Sequence, residues 1–309
     1  MAPPDNQSID FGHGHWFRNL DESRRFLWSP DDLPRLFQLL GLRPGLQVTD
    51  FGCGWGYLGH LLLPAISPGG RVDGFDLHQS LLEKGRARAT EASRKGRLRF
   101  TEADVTALED VPDNRYDLAI CQTVLMHLNH PEKAIAEMKR VVRPGGRVAA
   151  IEPDLFTARQ SVVECDMDGE LLQLRAEVDL HVMAGARASG AGDYRIGPRL
   201  PGLFAAAGLK EPQLWLNPRV HSCTPPYDLG DQHYADFLRR SLEPQRCDGE
   251  LETWRALFDA GGGEPELWDE LQRREGFVRQ RQKDQLAERS HRRASTSALY
   301  VCVASVPNE

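Results

Sequence analysis

Nowhere in these 309 residues does an apolar run approach the ~20 residues needed to cross a bilayer, so membrane insertion is not expected. Six cysteines occur, at positions 53, 121, 165, 223, 247 and 302, but no two form a Cys-x-x-Cys pair. That argues against a zinc site and against a secreted disulfide framework, and a reducing cytoplasm is the setting it implies. An excess of positive charge is missing too: 38 Lys and Arg stand against 45 Asp and Glu, for a net charge of −7 and a pI near 5.8. Binding to nucleic acid or to an anionic membrane therefore has no overall electrostatic support. Met1 to Asp10 is polar and contains prolines, without the basic-then-apolar order of an export signal. There is no internal repeat and no low-complexity tract.

What is present is enough for a full core. With 40% hydrophobic residues the chain exceeds the usual single-domain size, and one large domain with a cap or insertion is expected. From about residue 30 to residue 220 strands and helices alternate, the pattern of a parallel sheet covered on both faces. Strands are expected at 46–51, 71–76, 98–102, 116–121, 146–152 and 212–220, and helices at 56–65, 78–95, 131–142 and 198–207. Ser29-Pro30-Asp31-Asp32 reads as a helix start with a serine cap, and Gly41 as its end. Between Asp154 and Gly192 the apolar spacing suits an additional helix. From Asp228 to Arg293 charged helices are broken by Gly261-Gly262-Gly263-Glu264-Pro265, and Ser297 to Val306 reads as a final strand. The resulting division is an N-terminal helical lid (1–44), a core (45–153), a helical cap (154–195), a core continuation (196–227), a helical insertion (228–294) and a last core strand (295–309).

The most informative stretch is Asp50-Phe51-Gly52-Cys53-Gly54-Trp55-Gly56, three alternate glycines directly after an apolar run. Such glycines let the chain turn sharply and bring main-chain N–H groups close to a ligand. Further landmarks follow: Val72-Asp73-Gly74-Phe75-Asp76, Ala103-Asp104-Val105, Tyr116 to Cys121, and Arg143-Pro144-Gly145-Gly146-Arg147. In that order they resemble the class I S-adenosylmethionine-dependent methyltransferases, clearly over about residues 45–155 and more faintly through Ile196 to Leu209.

The resemblance implies an α/β fold with a doubly wound, mostly parallel seven-stranded sheet, and S-adenosylmethionine as cofactor. It places Gly52, Cys53, Gly54 and Gly56 against the methionyl portion and Asp50 near its ammonium. Asp76, with Leu77 beside it, would take the ribose hydroxyls, since a carboxylate offers two oxygens in one plane. Asp104 would accept from the adenine amine, the Val105 N–H would face a ring nitrogen, and Gln122 would lie beside the cofactor. His127 is the obvious titratable group after the fourth strand and the candidate general base. A lid from Phe11 to Phe17, including His15 and Trp16, together with Phe26-Leu27-Trp28, would close the site. Trp28, Glu152, His181 and Tyr194 are candidates to line the pocket of a small-molecule methyl acceptor. The charged insertion is compatible with a homodimer.

Other readings stay open at this level. Gly54-Trp55-Gly56-Tyr57-Leu58-Gly59 fits the dinucleotide fingerprint with Asp76 at about the ~20-residue distance of a ribose-binding acid, so an NAD-dependent oxidoreductase is one alternative. Against it, Asp104 has no use there and no Tyr-x-x-x-Lys set follows. A protein that keeps the cofactor loop but only binds a partner is another. Thr224-Pro225-Pro226-Tyr227 has the look of a base-gripping motif but follows the sixth strand, not the fourth. His13 and His15 lack the further ligands a metal needs, and no metal is expected.

Overall fold

The computed structural model describes residues 23, 24, 26–89, 96–164, 168–227, 229–242 and 248–308. By their contacts they form two compact units: one holds the residues up to Pro153 with Ile196–Asn217 and those from Leu299, the other Asp154–Arg195 and Pro218–Ala298.

The first unit is built on a seven-stranded sheet of order β3-β2-β1-β4-β5-β10-β7. Its strands are β1 (Gln47–Phe51), β2 (Arg71–Asp76), β3 (Leu98–Glu102), β4 (Tyr116–Gln122), β5 (Val142–Pro153), β7 (Lys210–Leu216) and β10 (Leu299–Ser305). Only β10 runs against its neighbours; the ladders β1–β2, β1–β4, β2–β3 and β4–β5 are all parallel. This is the doubly wound sheet the sequence implied. Strands buried on both faces read as continuous apolar runs, and Val48, Leu118, Ile120, Ala149 and Ile151 are each 1% exposed or less. They join Trp28, Leu36, Leu40, Leu62 and Ile66 in one core.

Several boundaries moved for identifiable reasons. β5 begins at Val142 rather than 146, because Val142 pairs with Tyr116 before the ladder shifts register. The strand expected at 212–220 is two: β7 on the sheet edge, where Pro212 leaves no central ladder bond missing, and β8 (Val220–Cys223) in the second unit. The helix expected at 78–95 covers Gln79–Arg88, with residues 90–95 outside the described set. The helix at Leu33–Leu40 has Asp32 rather than Ser29 at its N-cap position, with no side-chain cap bond, and ends at Gly41 in the left-handed region (φ 68°). Of the expected lid, residues 11–17 lie outside the described residues, while Trp28, Leu36 and Leu40 are core.

The second unit is helical with a small antiparallel sheet, β6 (Val163–Glu164), β9 (Arg293–Thr296) and β8. Its long helix Gly169–Ala188 starts on Asp168, whose carboxylate accepts the Leu171 N–H at 2.7 Å. This helix meets helix Asp248–Ala260 so closely that a Cβ on Gly185 would lie 1.7 Å from the Leu257 carbonyl oxygen. The expected break at 261–264 separates that helix from Pro265–Ala287. Ion pairs Arg175–Glu275 (2.7 Å) and Arg159–Asp179 (2.7 Å) lie among the helices.

Candidate functional site

In an open α/β sheet a ligand crevice forms beyond the carboxyl ends of the strands where the strand order reverses. Here that point lies between β1 and β4, and the glycine loop starts there. Gly52, Gly54 and Gly56 all have positive φ (65°, 53° and 82°). A Cβ on Gly52 would meet Val124 Cγ2 at 2.4 Å, whereas the nearest atom to a Cβ on Gly54 is Leu81 Cδ1 at 3.9 Å. The loop is pinned by Cys53 N–H to the Phe75 carbonyl (3.0 Å) and Gly56 N–H to the Cys53 carbonyl (2.8 Å).

Asp50, one residue before the end of β1, is 2% exposed, and its Oδ2 has no hydrogen-bond partner among the described residues. Burial, reinforced by the charge of Asp76 and opposed by Arg24, pushes its pKa up to about 8. Asp76, at the end of β2, is 8% exposed. One oxygen accepts the Gly54 N–H at 2.7 Å and the other the His78 N–H at 2.9 Å and the His78 Nδ1 at 3.0 Å. Asp76 therefore ties the glycine loop to the start of the next helix, while Oδ2, with one bond accepted, retains a lone pair. Leu77 beside it is 60% exposed, an apolar side chain left uncovered at the crevice. Asp104 is exposed and its Oδ1 accepts both the N–H (2.8 Å) and the hydroxyl (2.7 Å) of Thr106; Val105 is buried.

At the end of β4, Gln122 is 7% exposed and its Oε1 accepts the Trp28 indole N–H at 3.1 Å. Trp28 is thus a packed strut for Gln122, where the sequence reading had it lining an acceptor pocket. Thr123 follows at φ 53°, and its hydroxyl accepts Arg24 Nη2 at 2.6 Å. Arg24 was not foreseen: one of two adjacent arginines in a polar stretch carries no signal. Burial lowers its pKa, and it feels Tyr57, Glu152 and Asp50. His127 ends the short 3-10 helix Leu125–His127; burial and then the Arg24 charge depress its pKa to about 4. Glu152 is fully buried at the end of β5, raised to about 7 by burial against the pull of the Val124, Leu125 and Met126 N–H groups.

His15 and Trp16 lie outside the described residues. His181 and Tyr194 belong to the second unit, where His181 Nδ1 donates to the Gly261 carbonyl (3.1 Å) and Tyr194, 4% exposed, packs its ring 6.1 Å from Trp254. Tyr227 of the Pro-Pro-Tyr stretch donates its hydroxyl to the His291 carbonyl at 3.0 Å, a structural use. Among the described residues no group of His, Cys, Asp and Glu could hold a metal, and no helix is long and apolar enough to cross a membrane.

Residues 48–146 match a family model described as a methyltransferase domain. The ubiquinone/menaquinone biosynthesis C-methyltransferase UbiE of Ectopseudomonas mendocina is 35% identical over 115 residues, covering 37% of this chain and 44% of that protein. An uncharacterised methyltransferase of Schizosaccharomyces pombe is 31% identical over 158 residues, covering 50% and 56%. The chain spans under two thirds of the length of these curated relatives. Among solved structures, the [4+2]-cyclase SpnF superposes with a TM-score of 0.50 at 17% identity, covering 97% of this chain and 86% of that one, which is a likeness of fold.

Proposed function

We propose that this chain, whose residues 48–146 match a methyltransferase domain, is a class I S-adenosylmethionine-dependent methyltransferase that transfers a methyl group to a nucleophilic atom of a small organic molecule. One observation carries the cofactor assignment: the Asp50 carboxylate is buried beside the glycine loop with an oxygen that no donor among the described residues satisfies. A buried carboxylate without a partner is costly, and a ligand ammonium would supply both charge and donor. The surroundings fit the rest of the molecule. Asp76 keeps a lone pair on Oδ2 for a ribose hydroxyl, Leu77 offers apolar surface for a ring, and Asp104 keeps Oδ2 clear of the Thr106 bonds. When bound, S-adenosylmethionine supplies an electrophilic methyl on a sulfonium.

The chain's own residues orient and shield. The glycine loop leaves space over Gly54, and Gln122, held by Trp28, keeps its amide at the end of β4. Alignment of reactants is the largest service such a site gives, worth up to ~7–11 kcal/mol in the best intramolecular models. His127, with a pKa of about 4, is neutral near pH 7 and can accept a proton, but it is a weak base. It suits an acceptor whose nucleophile is acidic or already carries a free lone pair. The thiols Cys53, Cys121, Cys223 and Cys302, buried and in no disulfide among the described residues, agree with a reducing compartment, and the net charge of −7 with a partner other than nucleic acid.

Isothermal calorimetry tests the reading. S-adenosylhomocysteine and S-adenosylmethionine should bind and NAD should not; binding of NAD with no response to either adenosyl compound would overturn it. Adenosyl binding without transfer of labelled methyl to any acceptor in a broad screen would favour a partner-binding role.

A further inference from the structure

Glu152 presents an unusual arrangement. Its side chain is wholly buried at the end of β5, and its hydrogen bonds run to a single neighbouring segment. Oε1 accepts the Val124 and Leu125 N–H groups, each at 2.9 Å, and Oε2 accepts the Met126 N–H at 3.3 Å. The Cys121 thiol adds a weaker donation to Oε1 at 3.8 Å. The 3-10 helix Leu125–His127 has no cap from its own N-cap residue, Val124. Its leading N–H groups would be orphans without an acceptor reaching in from another strand. A carboxylate is suited to this because it only accepts, with about four lone-pair sites on two oxygens. The turn so held is the one that matters to the site: Val124 fills the space a side chain on Gly52 would need, Thr123 takes the Arg24 guanidinium, and His127 stands at the far end.

We propose that Glu152 is a positioning residue, which through the main chain of residues 124–126 fixes His127 and Thr123 relative to the glycine loop. Its catalytic consequence rests on the methyltransferase reading; the positioning itself does not. Glu152 contacts no substrate in this role, which replaces its expected place in an acceptor pocket. Among the described residues, the ionisable groups that act on it are Cys121 on β4 and Arg24 from the N-terminal segment.

Glu152→Gln preserves shape but converts one accepting oxygen into a donating amide turned towards N–H donors. The His127 ring is followed by NMR of histidine-labelled protein, needing neither cofactor nor acceptor. In the native protein it should titrate at about 4. In Glu152→Gln the loosened turn lets the ring reach water, and its midpoint should rise by about one unit or more towards the ordinary ~6.5. Glu152, raised to about 7, is already protonated at that midpoint, so the substitution removes no charge there and the rise reports release of the turn rather than electrostatics. An unchanged or lowered midpoint overturns the proposal. As a control, Asp73→Asn removes a buried carboxylate bonded to Tyr116 (3.1 Å) elsewhere in the sheet, and should lower the melting temperature without moving His127. A comparable His127 shift in that control also overturns the proposal.

Should Glu152→Gln not fold, the native protein still decides. The Val124, Leu125 and Met126 amide resonances should shift together with the Glu152 carboxyl carbon as it titrates near 7, and independent movement refutes the shared anchor. Calorimetry of the same native sample with S-adenosylhomocysteine is read separately: no binding there sinks the methyltransferase reading, while the His127 and amide results still settle what Glu152 does.

Discussion

Asp50 is a carboxylate held where water cannot reach one of its oxygens, and that single fact gives a pH-dependent expectation. With a pKa of about 8 it is mostly protonated at pH 7 in the free protein, and a ligand ammonium placed beside it lowers that pKa. Binding of S-adenosylhomocysteine should therefore release a proton, on the order of one per site, and affinity should rise with pH up to about 8. Calorimetry at pH 7 in buffers of differing ionisation enthalpy measures the release; equal heats in all buffers would contradict it, and Asp50→Asn should abolish it. Asp76→Ala should weaken the same binding by about 1.5–3 kcal/mol for each charged hydrogen bond lost. His127→Ala should lower methyl transfer far more than cofactor affinity, and in the native protein the acid limb of transfer should lie near pH 4 rather than 6.5. Equal transfer in the variant would remove His127 from the mechanism. The positions of Asp50 and Asp76 near the ends of β1 and β2, and of His127 on the turn after β4, were readable in the sequence because each is fixed relative to a strand. Arg24, Trp28 and Glu152 were not read correctly. Arg24 meets Thr123 99 positions away, Trp28 meets Gln122 94 away, and Glu152 serves N–H groups up to 28 positions before it, distances over which no local pattern operates.

At the scale of elements, the glycine loop and the turn after β4 are packed as one piece. Gly52→Ala would add a Cβ at φ 65° and 2.4 Å from Val124, so both the loop and the turn must give way. We expect a stability loss of ~1–3 kcal/mol, as in overpacked interiors, together with weaker binding of S-adenosylhomocysteine, measured by thermal denaturation and calorimetry. In the second unit, Gly185→Ala would set a Cβ 1.7 Å from the Leu257 carbonyl oxygen, a backbone atom that cannot swing aside. Faster amide exchange in helices Gly169–Ala188 and Asp248–Ala260 should report it. The apolar runs of β1, β2 and β4 were legible almost to the residue, since strands buried on both faces admit little else. The split between β7 and β8 was not, because the apolar Trp215, Leu216 and Val220 carry the strand pattern across Asn217-Pro218-Arg219, the turn at which the chain changes sheet.

For the whole molecule, the two raised carboxylates set the direction of stability with pH. Asp50 and Glu152 have folded values of about 8 and 7, above those of an unfolded chain. Their contribution is complete below about pH 4 and is lost as pH rises through about 7 to 8. His127, depressed to about 4, opposes this only below its unfolded value of ~6.5. The melting temperature of the free protein should accordingly fall between about pH 6.5 and 8.5, and saturating S-adenosylhomocysteine should recover the part due to Asp50. A flat profile over that range would contradict the burial of both groups. The sequence by itself determined the alternation of strand and helix, the glycine bend and the carboxylates near the ends of β1 and β2, because period, turn chemistry and strand ends are properties of neighbouring residues. Tertiary structure alone decided that Glu152 looks inward to a turn, that Trp28 braces Gln122, and that residues 154–195 and 218–298 gather into one unit. Those outcomes depend on which distant groups share a buried space, and hydrogen-bond partners there are chosen by the packing of the sheet.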